Sequence, residues 1–253
     1  EVAISLRSDL PPQNVANMLW AYAKLAAPSR AHLFPPLLEV TVNRLEQYKP
    51  QEVAAILWAV AREVGCIPSC RRFFLAVPQY FVMRLHEFTS QGLACMVEAF
   101  TLAEVDTSDF FTAMVWESIS RLHGFQPPSL CTLFRGIAIK AQRQPDDAAQ
   151  RKNLQTVSEH IVKRVSEMQP HNLLHLAETL ELLSPSLRLS STQLLATCPS
   201  ILSLQDKQGT FESGNNAAAA NLIALERADL MDPTNSAPPQ RSGNGSLGNM
   251  SGG

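Results

Sequence analysis

Apolar residues recur along this chain at the interval of one helical face. In "PQNVANMLWAYAKL", which starts at Pro12, Val15, Met18 and Tyr22 fall at i, i+3 and i+7. That spacing is the stripe of an amphipathic helix. The same stripe returns at Val53, Ile56 and Val60, at Leu93, Met96 and Phe100, at Leu130, Leu133 and Ile137, and at Leu173, Leu176 and Leu180. The wording returns too: "PQEVAAILWAVARE" starts at Pro50, and its Trp58 matches Trp20. Weaker copies start near Ser90, Pro127 and Pro170, so the intervals run about 38, 40, 37 and 43 residues. Self-similarity at such a period marks a repeated supersecondary unit, with the drift falling in turns.

Each copy continues into a second helical segment. Pro28 and Ser29 break the first copy, and Leu37, Leu38, Val42 and Leu45 then share a face. Pro68 and Ser69 break the second before "CRRFFLAVPQYFVMRLHE". In the third, "SDFFTAMVWESISRLH" offers Ser108 or Asp109 as N-cap; in the fourth, the partner runs from near Asp146 to about Glu167. Pro12, Pro50, Pro127 and Pro170 suit helix starts, where a missing N–H costs nothing. Ala21, Ala59, Ala99 and Gly136 sit beside the stripe and predict close helix approach. No helix pair buries its apolar face alone, so stacking is required. The expected fold is all-α: an α-solenoid of about five helix-turn-helix repeats over residues 1–202. A low-complexity tail, 203–253, holds one possible helix at 216–231; its remainder reads as disordered, having too little apolar surface to offset chain entropy.

Charge and cysteine content narrow the class. The formal net charge is −2, which argues against a strongly basic nucleic-acid binder but leaves local basic faces open. Cys66, Cys70, Cys95, Cys131 and Cys198 show no disulfide spacing, which points to a reducing compartment. No apolar run is long and charge-free enough to span a membrane. Nothing near Glu1 resembles a cleavable leader.

The phrase P-Q-x-V/L-A-x-x-L-W-A-x-A-K/R, close over Pro12–Leu25 and Pro50–Arg62, resembles the octotricopeptide repeat of algal organelles and the related heptatricopeptide-type repeats of apicomplexan organelles. Later copies depart from it, placing Glu98, Arg135 and Glu178 at the tryptophan position. The resemblance implies a nucleus-encoded organellar protein, mitochondrial or alternatively plastid, that works with RNA. Many such proteins carry a C-terminal RAP domain; this tail lacks its composition, which removes any hint of nuclease activity.

The side of the first helices opposite the stripe carries Asn17 and Lys24, then Ala55 and Arg62; later copies hold Cys95 and Leu102, Thr132 and Ile139, His175 and Leu182. Base reading along all copies is therefore not expected. Phosphate contacts need only positive charge. Candidates are Arg71 with Arg72, Lys140 with Arg143, Arg151 with Lys152, and Lys163 with Arg164, although Glu159 and Glu167 flank the last pair at helical spacing. Trp20 and Trp58 are expected to fill the seam between repeats.

Other signals lose on context. His171 and His175 lie four apart, but Asn172 stands where a zinc protease needs Glu, and no third ligand is evident. Cys66 and Cys70 have no second pair. "GNGSLG" at 243–248 spells G-x-G-x-x-G with no strand before it. Asn244 and Asn249 head sequons that matter only in a secreted protein. The expectation is a non-enzyme with no cofactor, no metal, no membrane and no small-molecule substrate. Its expected partners are RNA, chiefly rRNA, and ribosomal or other ribonucleoprotein proteins. The alternatives are a free organellar transcript factor and a pure protein–protein scaffold.

Overall fold

The computed structural model describes residues 9–25, 30–62, 68–105, 107–184 and 186–187. Every regular element among them is helical. The α-helices are α1 (Pro12–Lys24), α2 (Arg30–Asn43), α3 (Pro50–Val60), α4 (Pro68–Phe81), α5 (Ser90–Ala103), α6 (Ser108–Ser120), α7 (Pro127–Arg143), α8 (Ala148–Arg164) and α9 (Pro170–Glu181). They form four successive pairs and the first helix of a fifth. Residues 188–253, including the tail helix expected at 216–231, lie outside the described residues, as do Pro28, Ser29, Cys66 and Cys198.

The first helices begin where the repeated phrase predicts. Proline opens α1, α3, α7 and α9, and Thr89 caps α5 by accepting from the Gly92 N–H at 3.0 Å. Two expectations about the second helices need correction. Pro68 and Ser69 do not break the chain ahead of a helix; they are the first residues of α4, as proline's fixed φ favours at that position. Neither Ser108 nor Asp109 caps α6: Thr107 precedes the helix, with no side-chain capping bond. Asp147 does cap α8, accepting from the N–H groups of Ala149 and Gln150.

Neighbouring first helices pack in succession, α1 on α3, α3 on α5, α5 on α7 and α7 on α9. Among second helices, α2 packs on α4 and α8 touches α6. The stripe is the core: Val15, Val53, Leu93 and Leu130 are all inaccessible, as are Ile56, Met96 and Leu133. The small-residue column earns its place at Gly136. A Cβ there would lie 2.9 Å from both the Cα and N of Glu98, so α5 and α7 approach backbone to backbone. The Thr101 hydroxyl uses that closeness to donate to the Gly136 carbonyl at 3.1 Å.

Each second helix ends in a 3₁₀ turn, at Leu45–Gln47, Val82–Glu87, Leu122–Gly124 and Val165–Glu167. An extended, buried residue follows each turn: Tyr48, Phe88, Phe125 or Met168. An arginine stands six residues ahead of each following helix start, at Arg44, Arg84, Arg121 and Arg164. Three of these reach back to the start of their own pair. Arg44 donates to the Leu10 carbonyl at 3.0 Å, Arg121 to Phe88 at 3.0 Å and Arg164 to Phe125 at 2.6 Å. These carbonyls lie just ahead of a first helix, so each arginine clasps the end of a helical hairpin to its beginning. Arg84 instead forks onto Glu87, at 2.9 and 2.8 Å, over the Phe81 ring.

Candidate nucleic-acid interface

The candidate contact residues fall into three groups. The first is built on α1 and α3. Trp20 and Trp58 meet across the helix seam with ring centroids 6.2 Å apart, as expected for core packing. Trp58 is 6% exposed and Trp20 is half-buried. Cations cover both rings. Lys24 Nζ lies 4.9 Å from the Trp20 centroid, and the Arg62 guanidinium 3.6 Å from that of Trp58. Arg62 also donates to the Trp58 carbonyl at 3.2 Å. The arrangement follows from helical spacing: a cation four residues after each tryptophan lies one turn along the same face. Asn17 stands exposed on that face of α1.

The tryptophan column changes chemistry further along. Glu98 on α5 and Arg135 on α7 pair at 3.4 Å, and Arg135 Nη1 lies 3.5 Å from His175 Nε2 on α9. Glu98 is 6% exposed, so its charge is almost out of water and requires its cationic partner. The residues that break the repeated phrase thus replace an aromatic seam by an ionic one. At the positions equivalent to Asn17 and Lys24, Cys95 is buried and Leu102, Thr132 and Ile139 are half-buried; the Thr132 hydroxyl donates to the Pro128 carbonyl at 3.2 Å.

The second group lies where a first helix hands over to a second. Arg71 and Arg72 are exposed in the opening turns of α4. Lys140 and Arg143 stand in the last turn of α7, and Arg151 and Lys152 are exposed near the start of α8. These four share one helical hairpin. Lys140 Nζ sits 5.2 Å from the Phe111 centroid. Arg143 pairs with Glu104 at 2.7 Å and donates to the Thr101 carbonyl. Glu104 closes α5 at φ 53°, the left-handed geometry usual for a helix end but seldom taken by a residue with a side chain. Arg71 with Arg72 and Arg151 with Lys152 are the fourth and fifth residues of α4 and α8, at the helix end where the macrodipole favours acids over bases.

The third group is Lys163 and Arg164 at the end of α8. Lys163 is exposed. Arg164 is engaged by the Phe125 carbonyl and by Glu167 at 2.7 Å, while Glu159 accepts from Gln155 instead. The arginine beside Glu167 holds that carboxyl below its usual range. Burial, with Arg164 and Lys163 nearby, lowers the affinity of His160 for a proton.

Of the clasping arginines, only Arg164 stands among the sequence candidates, and there as a phosphate contact; the signal for all three is an arginine that recurs six residues ahead of every copy after the first. Among the described residues, no group of His, Cys, Asp and Glu could hold a metal ion, and no helix is long and apolar enough to cross a membrane. Cys70, Cys95 and Cys131 are buried.

The molecule so described is an all-helical protein of like helix pairs, packed neighbour on neighbour. The chain matches no protein-family model, no curated protein and no solved structure. The octotricopeptide-type resemblance therefore stays with the residues of the first two phrases.

Proposed function

We propose that the chain is a non-catalytic α-solenoid that serves as an RNA-associated scaffold in an organelle, as a structural component of a mitochondrial ribosome. The observation that carries the RNA part is the placement of its cations. Lys24, Arg62, Arg71, Arg72, Lys140, Arg143, Arg151 and Lys152 all lie where the first and second helices of a pair meet. Several stand where the helix dipole disfavours them. A partner phosphate offsets that cost, and contacts of this kind confer affinity without sequence choice. The ribosomal and mitochondrial placement draws on the repeat resemblance alone.

Two measurements test this reading. A fluorescent single-stranded uridine 20-mer is titrated with the full chain across a salt series. Affinity should fall steeply with salt, by roughly 0.7 log units per log unit for each phosphate neutralised. The double substitution Arg151→Ala, Lys152→Ala should weaken binding several-fold and flatten the slope. Salt-independent binding, or none, would overturn the RNA assignment. Gradient sedimentation of organelle lysate then tests the ribosome: the chain should travel with a ribosomal subunit and leave it after ribonuclease treatment.

A further inference from the structure

The second helix pair is held together differently from the other three. Arg44, Arg121 and Arg164 clasp carbonyls two residues ahead of a first helix, at Leu10, Phe88 and Phe125. The equivalent carbonyl for Arg84 is that of Tyr48, and Arg84 turns to Glu87 instead. The cause is local. Arg44, Arg121 and Arg164 stand just ahead of their 3₁₀ turns, whereas Arg84 is the third residue of a longer one, Val82–Glu87. A 3₁₀ residue turns the chain by about 120° and an α-helical residue by about 100°, so three of them swing the guanidinium roughly 60° from the clasping direction.

Helix packing departs from the pattern at the same place. α1 packs on α2, α5 on α6 and α7 on α8; α3 and α4 do not pack on each other in this way, and α4 rests on α2 and α5. In the layer of second helices, α2 packs on α4 and α6 on α8, but α4 reaches α6 chiefly through the turn Val82–Glu87. Val82 and Met83 on that turn are 43% and 81% exposed. Across this line Phe74 meets Phe100 edge-on at 4.9 Å, Phe81 meets Phe88 at 5.7 Å, and the Arg121 guanidinium lies 3.5 Å from the His86 carbonyl. The first helices continue unbroken, with α3 packed on α5. Beyond α5 the helices are tied more firmly: Thr101 donates to the Gly136 carbonyl, Glu98 pairs with Arg135, and Glu104 with Arg143.

We propose that the molecule bends at this line: α1–α4 and α5–α9 move as two blocks, with the α3–α5 contact as hinge and the gap between α4 and α6 opening and closing. Hinges are a few residues at element ends that absorb the backbone change. Glu87 and Phe88, where the 3₁₀ turn passes into extended chain, occupy that place. Arg71 and Arg72 lie on one block and Lys140, Arg143, Arg151 and Lys152 on the other, so the bend sets the span between the two groups of cations. The inference rests on helix contacts and holds whether or not the partner is RNA.

Pulsed electron paramagnetic resonance on the full chain tests it, with nitroxides carried on p-acetylphenylalanine so that the native cysteines stay in place. One label pair, at Gln79 on α4 and Glu159 on α8, crosses the joint. A pair at Gln13 and Gln79 lies within the first block, and a pair at Thr112 and His171 within the second. All five positions are exposed, and circular dichroism of each labelled chain checks that the fold is kept. The crossing pair should give a distance distribution about twice as wide as either control. In the unlabelled chain, amide exchange should be faster in the turn Val82–Glu87 than in the three shorter turns. Equal widths for the three pairs would overturn the proposal, as would exchange in that turn no faster than in the others.

Discussion

At the residue scale, Gly136 shows how one missing Cβ sets a distance between helices. Alanine is the better helix former by roughly 1 kcal/mol, so propensity alone favours Gly136→Ala. The new methyl would meet the Glu98 backbone at 2.9 Å, and backbone cannot swing aside. Overpacking of this kind costs about 1–3 kcal/mol, and here the clash is expected to win. Thermal unfolding should show Gly136→Ala melting several degrees lower; an unchanged or higher midpoint would mean that α5 and α7 part easily. Buried acids make a second prediction. Burial pushes the Cys131 thiol up to about 12 from 9.0 and raises the Tyr48 phenol above 10.0, partly opposed by its hydrogen bond with Thr41. The folded state then holds protons that the unfolded chain releases, so stability falls as pH rises through that window. Urea midpoints should be level from about pH 7 to 8.5 and decline above about 9. Cys131→Ala should soften the decline; if it leaves the decline intact, the thiol is not a cause.

At the element scale, the arginine clasp separates structural cations from available ones. Arg164 is 20% exposed at its side chain and bonded to the Phe125 carbonyl, whereas Arg84 pairs with its neighbour Glu87 over the Phe81 ring. Hydrogen bonds to a charged group contribute about 1.5–3 kcal/mol. Arg164→Met should therefore lower unfolding stability by about that much, and Arg84→Met by under about 1 kcal/mol, as for an exposed pair. Equal losses in urea titrations would show that the clasp does not hold the hairpin. The starts of the first helices were readable because proline and the apolar stripe act locally. The cap of α6 was not: Ser108 and Asp109 are good cap residues, but helical geometry begins at Ser108 and leaves Thr107 at the boundary. Propensity names candidates for a cap and does not choose among adjacent ones.

At the scale of the whole molecule, each helix leans mainly on its neighbours, so stability should vary along the chain. From Gly92 through Thr101, every residue of α5 is buried, while α1 keeps exposed or half-buried positions in every turn. Amide exchange followed by mass spectrometry should find α5 and α7 slowest and α1 faster. Uniform protection from α1 to α9 would indicate one cooperative block instead.

Sequence alone determined the all-helical class, the register of the first helices, the apolar stripe and the packing of Trp20 against Trp58. Each is written in local spacing: a period of 3.6 residues inside a helix, a period near 38 between copies, and proline at helix starts. Tertiary structure decided which cations are committed and to what. Arg44, Arg121 and Arg164 find carbonyls more than 30 residues back, Arg135 finds Glu98 on the preceding first helix, and Arg143 finds Glu104. Those pairings join residues distant in sequence, and a cation's partner depends on what the fold brings within about 4 Å of it. The exposure of Leu75 and Tyr80 on α4 likewise emerged only with the fold, because the neighbouring helices decide which side of a helix stays uncovered.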